Sequence, residues 1–185
     1  MGIARWKVRN RTPRMCSGCD SGSKPLTFVC TVGPDDFEPK IFLGESKALA
    51  MAVVGFDDET DNIYSITVGI ERIPGGKYEL FFHLVEVDSE TDSEYLYWSG
   101  RDTQFIRNKA DRNRILQTTL LLCAMLIKRA NPDQLTWFTC DENPPEQALV
   151  KYFLIIRVIE ECGYEVRTAD PYNGRWVWFA ERGPG

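Results

Sequence analysis

The chain has 185 residues, of which 43% are hydrophobic and 26% are charged, and its formal net charge at pH 7 is −5. This composition is ordinary for a folded protein, and the length suits one domain with a substantial core. Six cysteines are too few for a small disulfide-stapled scaffold, and the apolar run 120–127 is shorter than the roughly 17 to 25 apolar residues that cross a bilayer. We therefore expect a protein of the reducing cytoplasm without a membrane partner.

Charge is distributed unevenly along the chain. Residues 1–24 carry six basic residues against one acidic residue, a net charge of +5, whereas the remainder carries 16 basic and 26 acidic residues, a net charge of −10. We assign residues 1–25 to a basic N-terminal arm and residues 26–185 to a single α+β domain. Such an arm can bind nucleic acid, dock on the acidic body or act as a targeting segment. Met15 is an alternative start, which leaves open whether residues 1–14 belong to the native protein.

Short elements are predicted between residues 26 and 56. Residues 26–32 favour a strand, and residues 40–43 favour a short extended segment. The stretch that follows is ambiguous, because its alanine-rich beginning favours a helix and its Val-Val-Gly-Phe end favours a strand. We predict a short helix that begins at Ser46.

The clearest sheet pattern follows. Apolar residues alternate along 63–73, and a Pro-Gly-Gly-Lys turn leads to a return strand, Tyr78–Val87, that is apolar on both faces and therefore central. A third strand, 95–99, completes an antiparallel meander. The acidic loop 88–94 between them lacks the central glycine of a calcium loop and is predicted to be a solvated hairpin tip.

The most apolar stretch of the sequence predicts a core helix at 111–130. Residues 120–127 are apolar on every side, so we expect this helix to be surrounded by protein, and Asn131 followed by Pro132 ends it. Its beginning is unusual, because five cations crowd an end where the helix dipole favours anions: Arg101, Arg107, Lys109, Arg112 and Arg114, with Asp111 as the predicted N-cap. These side chains either extend into solvent or meet a phosphate or another anionic partner.

A second long helix follows a short strand at 135–139. Asn143 is its predicted N-cap, Pro144 its first residue and Glu146 the partner in a capping box. The helix is predicted to run to Cys162 and to end at a left-handed Gly163.

A closing hairpin pairs 164–169 with 175–180 across an Asn-Gly turn. The strands 95–99 and 135–139, linked by the core helix, are predicted to form one parallel crossover. The predicted fold is therefore α+β, a largely antiparallel twisted sheet with two long helices packed on it.

This order of elements resembles the later part of the fold of the GNAT superfamily of N-acetyltransferases. The likeness is strongest over 136–178, where Asn143, Ala148 and Tyr152 resemble the family's Asn, Ala and Tyr along its second helix. Cys-Gly-Tyr-Glu-Val at 162–166 is similar to the family's turn into the next strand. The resemblance implies acetyl-CoA or another acyl-CoA as the cofactor.

The chain departs from the family at the phosphate-binding loop. The family's Gln/Arg-x-x-Gly-x-Gly/Ala motif falls near 107–114, where this sequence has no glycine. Side chains there hinder a close approach of the backbone. A cofactor would then be held by side chains, and the candidates are Arg107, Lys109, Arg112, Arg114 and Asn143.

Two residues are candidates for catalysis of acyl transfer to an amine, which needs a general base and an acid near the leaving thiolate. By the resemblance, Tyr152 is the acid. Glu86, on the central strand, is the base that we would test first. Each has an ordinary alternative, because Tyr152 lies on an apolar helix stripe typical of a core aromatic and Glu86 suits a solvated strand end.

No metal site is predicted. His83 is the only histidine, and its place in an alternating strand favours a hydrogen-bonded sheet histidine. Cys16 and Cys19 have zinc-like spacing, but four ligands would require the fold to bring Cys30 and Cys140 to them.

Two hypotheses for the function follow. The first is a non-catalytic or divergent GNAT-like protein that binds an anionic or macromolecular partner, with nucleic acid among the candidates, through the basic arm or an aromatic edge formed by Trp176 and Trp178. The second is an acyl-CoA-dependent N-acyltransferase that acts on an amine. A parted pair of strands beside residues 107–114, with an open cleft, would favour the enzyme.

Overall fold

A computed structural model describes residues 28–33 and 38–183 and shows an α+β protein with one nine-stranded mixed sheet, mostly antiparallel, and two helices. The basic arm predicted at 1–25 lies outside the described residues. The elements are β1 (Phe28–Cys30), β2 (Lys40–Leu43), β3 (Lys47–Asp57), β4 (Ile63–Arg72), β5 (Tyr78–Val87), β6 (Glu94–Tyr97), α1 (Lys109–Ala130), β7 (Gln134–Phe138), α2 (Glu146–Glu161), β8 (Tyr164–Thr168) and β9 (Val177–Arg182).

The sheet has the order β1-β3-β4-β5-β7-β9-β8, with β2 also paired to β3 and β6 also paired to β5. The predicted meander of β4, β5 and β6 is confirmed, and so is the central place of β5. The predicted parallel pair is wrong, because β7 runs parallel to β5 rather than to β6. Since β6 turns back antiparallel to β5, a parallel neighbour of β5 must run opposite to β6.

The helix predicted from Ser46 is wrong, because this segment is the eleven-residue strand β3. Ala48, Ala50 and Ala52 alternate along the strand and are buried. They lie on the face against which α1 packs, where small side chains let a helix approach the sheet closely. Tertiary burial therefore overrides the helical propensity of alanine.

The N-cap of α1 lies three residues before the predicted one, Asp111. Asn108 is the N-cap, and its side chain accepts a hydrogen bond from the Ala110 N–H. Asp111 instead lies in the first turn, where its carboxylate pairs with Arg114. The predicted end is confirmed, since Asn131 has the left-handed φ of 50° and its N–H donates to the Ile127 carbonyl.

The core helix is not surrounded on every side. Leu122, Leu126 and Ile127 are fully buried, but Leu121 is 43% exposed. A single layer of helices on a sheet necessarily leaves one side of each helix facing outward. The second helix packs beside α1, so that α1 contacts β3, β4 and α2.

The predicted capping box of α2 is wrong. The helix begins at Glu146 behind an N-cap Pro145 that makes no side-chain capping bond. Asn143 has a φ of 47° and donates its N–H to the carbonyl of Gly174, 2.7 Å away, so the closing hairpin holds this residue away from the helix. At the other end, Gly163 has the predicted left-handed conformation with a φ of 90°.

The predicted aromatic edge is also wrong. β9 lies between β7 and β8, so it is not an edge strand, and Trp178 is fully buried against Tyr152 and Trp137. The opposite face of the sheet carries exposed apolar side chains, including Phe138 and Phe179. Within residues 28–33 and 38–183, no helix packs on that face and no helix is long and apolar enough to cross a membrane.

Candidate ligand-binding cleft

The two parallel strands of the sheet separate soon after they meet. β5 and β7 pair only at Tyr78 with Leu135 and at Glu79 with Thr136. On the same edge of β5, pairing with β6 begins at Leu84. The backbone of residues 80–83 therefore has no strand partner on this edge within the described chain.

A cleft of about 250 Å³ lies beside residues 82–84 of β5, and no residue of β7 lines it. Strands β4 and β5 form its floor, helices α1 and α2 form its walls, and the loop between β6 and α1 borders its mouth. Its apolar lining consists of Ile66, Phe82, Leu84, Ile106, Ile115, Leu116 and Ile155. The cleft lies beside the beginning of α1, where the sequence has a cluster of basic residues.

The charged lining of the cleft is entirely basic. Arg112 from α1 and Lys151 from α2 line it, together with His83 and several hydroxyl groups, and no Asp or Glu does so. The Arg112 Nε donates to the carbonyl of Ile106, which ties its guanidinium to the loop at the mouth. Because the whole chain has a net charge of −5, this concentration of positive charge is local and suits an anionic ligand.

Lys151 was not among the candidates predicted from the sequence. Its ammonium lies 5.3 Å from the ring centre of Phe82 and 5.0 Å from that of Tyr152. Burial lowers its pKa, and the nearby Asp141 partly opposes this effect. The signal available in the sequence was its spacing of four residues from Ile155, which places both side chains on the same helix face.

The five predicted cations fall into two groups. Arg114 pairs with Asp111 three residues earlier, and Arg112 is tied to the loop carbonyl. Arg101, Arg107 and Lys109 are exposed and form no ion pair with any described residue, and Arg107 and Lys109 lie next to the first turn of α1. These two side chains are therefore available to a ligand at the mouth of the cleft. Asn143 does not line the cleft, because the closing hairpin holds it.

The structure supports the alternative in which Tyr152 is an aromatic residue of the core. Its ring stacks on Trp178 with the ring centres 5.1 Å apart, and its hydroxyl accepts a hydrogen bond from the Cys140 N–H at 3.4 Å. Burial raises the pKa of Tyr152 to about 12. The residue is not part of the cleft lining.

Glu86 is buried rather than solvated at a strand end. Its carboxylate accepts hydrogen bonds from the Asn62 amide, at 2.6 Å, and from the Tyr97 hydroxyl. Burial, with the bond to Glu86, raises the pKa of Tyr97. Because Tyr97 lines the cleft, Glu86 connects to the cleft only through this hydroxyl.

The structure does not bring the two predicted catalytic residues together. Tyr152 packs against Phe82, and Glu86 lies four residues further along β5, about 13 Å away at the rise of a strand. An acid and a base for acyl transfer must reach the leaving sulfur and the attacking nitrogen, which are bonded to the same carbon in the tetrahedral intermediate.

His83 is a sheet histidine, but it is not fully hydrogen-bonded as predicted. Its Nδ1 is buried without a hydrogen-bond partner among the described residues, and its ring packs against both Phe81 and Trp98. Among the described residues, no group of three or more His, Cys, Asp or Glu side chains could hold a metal ion. Cys16 and Cys19 lie outside the described residues.

The acidic loop is the predicted solvated hairpin tip. The Asp88 carboxylate accepts hydrogen bonds from the N–H groups of Glu90 and Thr91. Residues 89–94 are exposed. The loop is thus organised by its own backbone, as in an ordinary Asx turn.

Comparisons with protein-family models, with curated proteins and with solved structures gave no match to this chain.

Proposed function

We propose that this chain is a divergent GNAT-like protein that binds an anionic ligand of the acyl-CoA type in the cleft that β5 forms with α1 and α2. One observation carries the proposal: the cleft is lined by Arg112 and Lys151 and by no carboxylate, although the protein is acidic overall. A site of this kind attracts anions by its local potential.

The free edge of β5 supports a ligand with an extended, amide-bearing portion. Residues 80–83 leave backbone N–H and C=O groups without a strand partner on this edge. An extended ligand with alternating amides can pair with such an edge as an added strand does. The pantetheine portion of coenzyme A has this chemistry.

The cleft is large enough for only one part of an acyl-CoA. A volume of about 250 Å³ suits a slender arm and is too small for the whole of an acyl-CoA. The phosphates would lie outside, against the exposed Arg107 and Lys109 at the beginning of α1. This arrangement replaces the family's glycine loop by side chains, as the sequence at 107–114 requires.

Calorimetry with coenzyme A and acetyl-CoA tests the proposal. The double variant Arg107→Gln/Lys109→Gln should weaken binding about five- to thirty-fold, from ~0.5–1 kcal/mol for each exposed ion pair. The matched control is Lys128→Gln/Arg129→Gln, which removes the same charge from the other end of α1. Absence of binding at millimolar ligand with folded protein would refute the proposal, and equal weakening by both variants would remove the assigned phosphate position.

A second candidate function is N-acyl transfer to an amine, and the parted strands with their open cleft favour it. Since Tyr152 is a core aromatic, the proton-accepting pair would be Tyr97 and Glu86, of which Tyr97 lines the cleft. Release of coenzyme A thiol from acetyl-CoA in the presence of an amine measures this activity. Glu86→Gln should abolish the release without affecting binding of coenzyme A, whereas thiol release unchanged in this variant would exclude the pair as the base.

The cytoplasmic location and the basic arm remain parts of the hypothesis. The four described cysteines have free thiols, which is in keeping with a reducing compartment. A macromolecular partner of the arm, nucleic acid included, is tested by deletion of residues 1–24. Unchanged binding to every partner and to nucleic acid would remove that role of the arm.

A further inference from the structure

Lys151 differs from every other lysine that the structure describes. Six lysines fall within residues 28–33 and 38–183, and Lys151 alone among them is not exposed. Its side chain lines the cleft, whereas the other five lie on the outer surface of the sheet, turns and helix ends. A lysine withdrawn from solvent must have its ammonium stabilised, or it exists partly as a neutral amine.

The surroundings of the amine are aromatic rather than ionic. The nitrogen lies over the rings of Phe82 and Tyr152, and no described carboxylate forms an ion pair with it. Asp141 and Cys140 favour its charge, and neither forms a hydrogen bond or ion pair with it among the described residues. The amine is therefore not committed to an internal partner.

The amine also lies where a bound ligand would pass. Phe82 belongs to the segment of β5 that lacks a strand partner, and it forms part of the floor of the cleft. An extended ligand paired with that segment would run alongside Phe82, whose ring lies 5.3 Å from the nitrogen of Lys151.

We propose that Lys151 is an acyl acceptor, whose amine attacks the carbonyl of an acyl thioester bound in the cleft. The inference rests on the proposed function for the nature of the donor. It goes beyond that function in assigning a covalent modification to one residue of this chain.

The step is balanced without any further reactant. The lone pair of the neutral amine forms a C–N bond to the thioester carbonyl carbon, the C–S bond breaks, and the proton lost by nitrogen passes to the departing sulfur. The products are an amide on Lys151 and a free thiol. Arg112, which lines the same cleft, supplies positive charge for the oxyanion that forms on the carbonyl oxygen. Burial supports the step, because it lowers the pKa of the amine.

Acylation would also change the cleft. It converts one of the two cations that line it into a neutral amide. The acylated chain should therefore bind coenzyme A less tightly than the unmodified chain.

Peptide mapping by mass spectrometry tests the proposal with two donors, acetyl-CoA and the acetyl thioester of N-acetylcysteamine, which has no phosphate. We expect Lys151 to be acetylated several-fold faster than the exposed Lys128, and the preference to disappear in the denatured chain. Lys151→Arg should remove this modification, because a guanidinium does not attack the thioester. Lys128→Arg is the control and should leave acetylation of Lys151 unchanged.

The outcomes separate the two proposals. Binding of coenzyme A without preferential acetylation of Lys151 by either donor would overturn the acyl-acceptor assignment and leave the proposed function intact. Preferential acetylation by the small thioester without binding of coenzyme A would support the assignment and refute the proposed function. Equal acetylation of Lys151 in the folded and the denatured chain would show ordinary chemical reactivity and overturn the assignment.

Discussion

His83 gives the protein an acid-sensitive stability that one substitution isolates. It is the only histidine of the chain and is 8% exposed. Burial, with a smaller contribution from the positive charge of Lys47, lowers its pKa from 6.5 to about 4. Between these two values the unfolded chain binds a proton that the folded chain does not, so stability is lost as the pH falls through this window.

The magnitude follows from the two pKa values. With 6.5 in the unfolded chain and about 4 in the folded chain, the free energy of unfolding should fall by about 2 kcal/mol between pH 7.5 and pH 5 because of His83 alone. The loss approaches ~3 kcal/mol when the pH falls below the folded value.

Urea unfolding followed by tryptophan fluorescence at several pH values measures this effect in the wild type and in His83→Gln. As the pH falls from 7.5 to 5, the free energy of unfolding should decrease by about 2 kcal/mol more in the wild type than in the variant. Burial raises the pKa of Glu79 and Glu94, which makes acid favour folding at those sites, but this contribution is the same in both proteins and cancels. Parallel pH dependence of the two unfolding free energies from pH 7.5 to 5 would refute the reasoning.

Three further outcomes are expected. Gly69→Ala should destabilise the fold by about 1–3 kcal/mol in urea unfolding, since the added Cβ would meet the Phe81 ring at 2.0 Å; unchanged stability would contradict this close approach. Asn131→Ala should lower the free energy of unfolding by about 1–2 kcal/mol relative to Asn131→Gly, because the left-handed φ of 50° penalises a side chain, and equal stabilities would argue against it. Leu116→Trp should fill the cleft and reduce the affinity for coenzyme A about tenfold or more in calorimetry with an unchanged melting temperature, and undiminished affinity would place the ligand elsewhere.

Local signals predicted most elements but not all of their ends. Apolar alternation located β4, and the Pro-Gly-Gly-Lys turn with the apolar run after it located β5, each to within one residue. The ends of the helices depended on contacts distant in sequence. Asn143 has the chemistry of an N-cap, yet the carbonyl of Gly174 in the closing hairpin binds its backbone and moves the beginning of α2 to Glu146.

The candidate site was predicted in part. The sequence left two alternatives for the cations at the beginning of α1, solvent or an anionic partner, and of these side chains Arg112 lines the cleft. Lys151 was missed because its neighbours in sequence are those of an ordinary helix stripe. Its place in the cleft depends on how α2 packs against β5, which no local pattern reveals.

By itself, the sequence determined the α+β class, the central place of β5, the left-handed ends at Asn131 and Gly163, and the basic character of the beginning of α1. These properties depend on residue type and short-range periodicity. Only the tertiary structure decided that the alanines of β3 form a strand and that β7 pairs with β5 over just two residues. It also decided that Arg112 and Lys151 line one cleft in which there is no carboxylate. Such features arise from the packing of segments far apart in the chain, where the burial of whole faces outweighs the preference of any single residue.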